Sequence, residues 1–358
     1  MAKKAPASAN QPIGDVRDPN SLWRFLQRYT AWQQEKNYSP ATVESRALYL
    51  RYFIAWCDER GLTRPHDITK PILERYQRYL FLYRKEDGQP LSTRSQHTRI
   101  VPLRAFFKWL ARQNHILYNP ASDLDLPRLE RRLPKHILTI SEVETVLAVP
   151  DLDTATGLRD RALLETFYST GMRRMELMQL GVHDIDHERG TVMIRQGKGK
   201  KDRMIPIGER ALAWIAKYRD DVRPELAIGG DDGTLFLTAQ GEAFTPNRLT
   251  QLVRDYVNAA NVGKSGACHL FRHTMATLML EGGADIRYIQ AMLGHAELST
   301  TQIYTQVSIR TLKGIHSATH PGRPIAGATQ PMHEPRQDDE RAALLDMLAA
   351  EAAEENDA

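Results

Sequence analysis

Cysteine is nearly missing from this 358-residue chain: Cys57 and Cys268 are the only two, and they fall in different segments. That excludes a disulfide framework and fits a reducing compartment. No Cys/His spacing resembles a zinc site, so both are expected to be buried thiols. No apolar run approaches the ~20 residues needed to cross a bilayer. The opening Met1-Ala-Lys-Lys-Ala-Pro lacks the apolar stretch of a secretory leader, and a cytoplasmic location is expected. There is no Gly-x-x-x-x-Gly-Lys-Ser/Thr loop and no cluster of carboxylates, so neither a nucleotide nor a metal cofactor is expected.

What is present is enough for two domains, since single cores stop growing at about 250–300 residues. The net charge of +4 hides an asymmetry. Between Ser21 and Lys135, Lys and Arg exceed Asp and Glu by ten, whereas the last two dozen residues are strongly acidic. A basic module calls for a polyanionic partner. Residues 1–19 are small and polar and are expected to be disordered. From Ser21 to Gln113 apolar residues recur at helical spacing, as in Leu22, Phe25, Leu26, Tyr29 and in Leu103, Phe106, Phe107, Leu110. Ser39-Pro40 should start a helix and Gly61 should end one. About four helices make a compact α-module over 20–120, followed by a Pro-broken basic linker over 121–138.

The second domain, 139–320, is expected to open with Ser141 as a helix cap answered by Glu144. Helices follow near 158–170, 174–180, 209–219, 246–260, 270–281, 285–293 and 299–313. Thr191–Arg195 and Arg203–Ile207 read as two short strands joined by a Gly/Lys-rich hairpin tip. The fold class is therefore mainly α with a small antiparallel sheet. An acidic extension, 321–358, closes the chain, with Leu344, Leu345 and Leu348 as a narrow apolar stripe.

Chemistry concentrates between His269 and Tyr304: His269-Leu-Phe-Arg272, Leu293-Gly-His295, then Ser299-Thr-Thr-Gln-Ile-Tyr304. A guanidinium grips phosphate oxygens with a planar fork, an imidazole moves protons near neutral pH, and a phenol can be a nucleophile. His269 and Arg272, three apart, share one helix face, and beside the apolar stripe of Phe271, Met275, Leu278 and Met279 they should project next to the core, not into it. Upstream, Gly171 permits a tight turn that places Arg173 at a helix start, where Glu176 can pair with it and orient it. Lys198 stands in the hairpin tip, flanked by Lys200 and Lys201. Arg174 reads as a surface charge, His273 as packing or capping, and Tyr256 and Tyr288 as core or rim aromatics.

The ordered set Arg173, Lys198, His269-x-x-Arg272, Leu293-Gly-His295, Tyr304 resembles the tyrosine recombinase (phage integrase) family, most closely its Xer-like members. The resemblance extends over about Leu22 to Pro321 and includes the helical module, which looks like the family's SAM-like core-binding domain. It implies the DNA breaking-rejoining fold and a site-specific recombinase acting without ATP or metal. Tyr304 would attack the scissile phosphorus to form a 3′-phosphotyrosyl link. Arg173 and Arg272 would clamp the non-bridging oxygens with help from His295, Lys198 would protonate the leaving 5′-oxygen, and His269 would assist proton transfer or hold the phosphate. The implied partner is double-stranded DNA at a specific site, bound by a homo-tetramer or by a hetero-tetramer with a second recombinase. Arg24, Arg28, Arg46, Arg94, Arg99, Arg131 and Arg132 are candidate DNA contacts. The alternatives are a type IB topoisomerase-like nicking-closing enzyme and a DNA-binding accessory protein without catalysis.

Overall fold

The computed structural model describes residues 11–14, 16–129, 136–197, 201–227, 231–294, 309–321, 344–345 and 347–349. Chain contacts divide it into two compact units, the first running to Arg131 and the second beginning at Arg132.

The first unit is built from α1 (Leu22–Glu35), α2 (Pro40–Asp58), α3 (Lys70–Leu82) and α4 (Thr93–Arg112). Serines start three of them: the Oγ atoms of Ser21, Ser39 and Ser92 accept from the backbone N–H groups of Arg24, Thr42 and Ser95. Each satisfies a donor that the first helical turn leaves orphaned. Pro40 occupies the first turn of α2, and Gly61 follows its end with φ of 69°. The core is largely aromatic. Phe53 meets Tyr76 edge-on at 5.0 Å and Phe107 at 6.1 Å, and all three are buried.

The second unit carries α5 (Ile140–Leu147), α6 (Ala155–Thr170), α7 (Arg174–Met178), β1 (Ile185–Asp186), β2 (Thr191–Gly197), β3 (Lys201–Pro206), α8 (Glu209–Lys217), α9 (Arg223–Leu226), α10 (Pro246–Ala259), α11 (Cys268–Glu281), α12 (Ile286–Leu293) and α13 (Ile309–Thr319). The strands form one antiparallel sheet in the order β1-β2-β3, with Ile194 opposite Arg203 and a register shift between Ile194 and Gly197. Helix α6 is the hub, buried along most of its length. Both thiols are buried, Cys57 in the first unit and Cys268 in the second.

The opening of α5 corrects the sequence reading. Thr139, not Ser141, is the cap: its Oγ1 accepts from Glu142 N at 3.3 Å, and Glu142 Oε2 accepts from Thr139 N at 2.6 Å. Glu144 instead binds Arg210 Nη1 at 2.8 Å. Residues 299–308 of the last expected helix lie outside the described residues, and α13 begins at Ile309.

The apolar stripe of the extension finds a partner within its own unit. Leu344 and Leu348 are buried in one cluster with Met275, Met279, Ile289, Met292 and Leu293 of α11 and α12. This covers a methionine-rich face that water would otherwise wet. Leu348→Ala is expected to lower unfolding free energy by about 2–5 kcal/mol, the usual range for a buried leucine. Urea denaturation of the full chain measures it, and an unchanged midpoint would mean that the segment contributes nothing to stability.

Candidate active site

Two helix ends build the site. The last carbonyls of a helix have no partner within it and need outside donors. At the end of α6 these carbonyls are Tyr168, Ser169 and Gly171, where Gly171 ends the helix in the left-handed conformation at φ 59°. Arg272 Nη1 donates to Gly171 O at 2.7 Å, and His316 and His320 of the α13 segment use Nε2 to meet Ser169 O at 2.7 Å and Tyr168 O at 2.8 Å. At the end of α12, Arg272 Nη2 donates to Leu293 O at 3.0 Å and Arg203 Nε donates to Met292 O at 3.2 Å. Cationic groups at helix C-termini also complement the macrodipole.

Arg272 thus departs from the expected placement beside the core: it is 1% exposed. The reason is non-local. Two carbonyls brought together from α6 and α12 can satisfy a buried guanidinium, and a charge enters an interior only with such partners.

Arg173 follows Gly171 by two residues and caps α7. Its N–H donates to Glu176 Oε2 at 2.9 Å and its Nη1 to Glu176 Oε1 at 3.1 Å, as the spacing predicted. Glu176 takes a second, two-pronged ligand from β3: Arg203 Nη1 to Oε1 at 2.7 Å and Nη2 to Oε2 at 2.8 Å. Burial pushes the Glu176 carboxyl up, but the Arg203 hydrogen bonds and the charges of Arg203 and Arg173 outweigh it and hold it below its ordinary range.

Sequence reasoning missed Arg203. The signal was there, because strand alternation puts Arg203 on the same face as Ile205 and Ile207, both buried. A charge on that face requires a buried partner. Gly294, which ends α12 at φ 68°, has a second constraint there: a Cβ would lie 2.8 Å from the Arg203 guanidinium carbon.

His269 lies in the first turn of α11, half-buried, with its ring 6.4 Å from that of buried His273. Arg174 Nη1 donates to Thr250 Oγ1 at 2.8 Å, Tyr256 OH donates to Asp160 Oδ2 at 2.7 Å, and Tyr288 packs against α11 and α12. In the first unit Arg28, Arg46 and Arg99 lie over the rings of Phe25, Tyr38 and Tyr52, each at 5.0 Å, and Arg24 Nε donates to Val16 O at 3.0 Å. The Arg94 side chain is half-buried on α4. Lys198, His295, Tyr304, Arg131 and Arg132 lie outside the described residues.

His316 and His320 stack at 4.7 Å, both buried, so each carbonyl they meet must accept from an Nε2–H. Desolvation lowers both pKa values, that of His320 to about 3. Because both folded values are depressed, the neutral imidazoles stabilise the fold fully above about pH 6.5 and progressively less as pH falls; for His320 the loss continues toward pH 3, at up to ~1.4 kcal/mol per unit. Urea unfolding at pH 5.5 should therefore give a free energy about 1–3 kcal/mol below that at pH 7.5, and His320→Gln should remove about half of the difference. An equal pH dependence in that variant would assign the effect to other groups.

Two family models match the chain: a phage integrase SAM-like domain over residues 21–124 and the phage integrase family over 136–310. The chain belongs to the phage integrase family, the tyrosine recombinases. Its similarity is to Xer recombinases: it is 51% identical over 302 residues to tyrosine recombinase XerC 2 of Ralstonia nicotianae, covering 84% of this chain and 87% of the relative. It is 36% identical over 287 residues to XerD of Pseudomonas aeruginosa, covering 80% and 93%. Among solved structures, XerH bound to difH before cleavage matches with a TM-score of 0.60 at 22% identity, covering 83% of this chain and 97% of that one. A lambda integrase dimer on a core site matches with 0.58 at 19% identity, covering 80% and 100%. Both share the fold.

Proposed function

We propose that this protein cuts and rejoins duplex DNA at a specific site through a 3′-phosphotyrosyl intermediate on Tyr304. The observation that carries the reading is the pair of hydrogen bonds that Arg272 donates, to Gly171 O and to Leu293 O. It joins the turn before Arg173 to the helix end immediately before His295. The two helix ends that precede Arg173 and His295 in the sequence are thereby joined through one buried guanidinium.

Each role follows from chemistry. A free phenol has a pKa near ~10, so Tyr304 needs a proton acceptor or a cationic pocket, and His269 is the proposed aid. Arg173 and Arg272, with His295, neutralise the charge that grows on the non-bridging oxygens, using donors that need no reorganisation. Lys198 protonates the leaving 5′-oxygen. The covalent link to Tyr304 conserves the phosphodiester energy, so rejoining to a new 5′-hydroxyl needs no ATP.

The first unit, with Arg24, Arg28, Arg46, Arg94 and Arg99, and the basic linker with Arg131 and Arg132, are the proposed DNA-holding parts. Domain limits of 20–120 for the module, 121–138 for the linker and 139–320 for the catalytic part are proposed. A lambda integrase with this fold was solved as a tetramer on a Holliday junction, which supports a tetramer on paired sites here, either of one kind or with a second recombinase. The Xer recombinases it resembles over both units favour strand exchange between sites over nicking and closing.

The test is a duplex selected from a random pool for binding to the full chain, then nicked near the scissile position so that the cleaved end diffuses away. A denaturation-resistant protein–DNA adduct is expected. Binding without any adduct would sink the catalytic reading and favour the accessory role.

A further inference from the structure

Glu176 is a buried carboxylate lying between two guanidiniums, and they hold it unequally. Arg203 takes both oxygens in a fork, at 2.7 and 2.8 Å. Arg173 reaches it through one side-chain contact at 3.1 Å and through its backbone N–H at 2.9 Å. We propose that Arg203 is a positioning residue for the phosphate clamp: it satisfies the charge of Glu176, so that Glu176 orients Arg173 without neutralising it.

A buried carboxylate beside a single guanidinium closes into a two-pronged pair of zero net charge. A phosphate gaining charge in the transition state would then meet a neutral pair where it needs a cation. With Arg203 present the three groups keep one net positive charge, and the preferred two-pronged geometry belongs to Arg203. Arg203 can do this without facing the phosphate itself, because strand alternation turns it inward and its side chain is only 15% exposed. Glu176 stays ionised between the two arginines, its carboxyl held below its usual range against the effect of burial.

The same side chain fixes where this charge sits. Its Nε bonds Met292 O, at the end of α12 and three residues before His295. Its strand, β3, begins three residues after Lys198 in the sequence. Gly294 leaves the space that Arg203 fills, since a Cβ there would come within 2.8 Å of the guanidinium. One residue outside the proposed catalytic set therefore ties α7, β3 and α12 together.

The inference rests on the recombinase reading, and its test separates the two. Full-length wild type, Arg203→Gln and Arg203→Lys are compared at saturating protein in single turnovers on the selected nicked duplex. The scissile linkage is either a phosphodiester or a methylphosphonate, which lacks one anionic oxygen and so asks less of the clamp's charge. On the phosphodiester Arg203→Gln is expected to slow cleavage by on the order of 10–10²-fold, less than the loss of a direct donor. Arg203→Lys, which keeps the charge, should recover most of that rate. On the methylphosphonate the Gln defect should shrink to about threefold or less. A merely structural role predicts the same loss on both linkages, and that result, or no loss on the phosphodiester, overturns the inference. Where Arg203→Gln does not fold, Arg203→Lys carries the same comparison, its smaller loss again confined to the phosphodiester. Wild type that forms no adduct on either linkage would instead remove the recombinase reading itself.

Discussion

Tyr304→Phe is expected to abolish the covalent adduct while leaving DNA affinity unchanged. The loss should be on the order of 10⁵–10⁶ in cleavage rate, as for other enzymes stripped of their nucleophile. Only one oxygen is removed, and it is the atom proposed to form the bond to phosphorus, so no neighbouring group can compensate. Two other tyrosines of the second unit are poorly suited to take over. The phenol of Tyr256 is pushed up by burial and by Asp160, to which it is hydrogen-bonded, and Tyr288 is packed against α11 and α12. Single-turnover cleavage and gel separation under denaturing conditions measure the effect. An adduct that survives Tyr304→Phe would move the nucleophile elsewhere.

Arg272 is expected to show the second-largest effect, and it should appear in two measurements at once. Arg272→Lys should slow cleavage by about 10²–10³-fold, because an ammonium is a point charge and cannot bridge Gly171 O and Leu293 O while also gripping phosphate. Arg272→Met should also destabilise the second unit. It deprives two buried carbonyls of their donor, a loss of about 1–3 kcal/mol for each that stays unsatisfied. A domain of this size would then melt roughly 5–15 °C lower. Cleavage kinetics and calorimetry together test both. A large rate loss with no change in melting would mean that water replaces the guanidinium at the helix ends.

The fold was legible wherever the cause is local. Serine caps, Pro40 in a first turn and the apolar periodicity of α1 to α4 are each decided within a few residues. The start of α5 was misread because the sequence holds two overlapping cap patterns, Thr139-x-x-Glu142 and Ser141-x-x-Glu144. Both satisfy the local rule, and only Arg210, far along the chain, decides which glutamate is needed elsewhere. Strand β1 is two residues long, too short for any alternation to show. The pairing of Arg173 with Glu176 was readable from spacing alone. The burial of Arg272 was not, because its partners, Gly171 and Leu293, come from helix ends that only the folded chain brings together. Arg203 lies between these cases: its inward face could be read from alternation, but its partner could not.

The segment with Leu344 and Leu348 has a further consequence, in the order of events during synthesis. Among the described residues the aromatic core of the first unit uses nothing beyond Leu126, so it can close while the ribosome is still making the second. The cluster behind α11 and α12 closes later, since two of its buried leucines, Leu344 and Leu348, follow Leu293 by more than fifty residues of sequence. Its methionine-rich face therefore remains without its cover until that stretch has been made. The first unit is thus ready early, and the helix that carries Arg272 is fully packed only once Leu344 and Leu348 have been made.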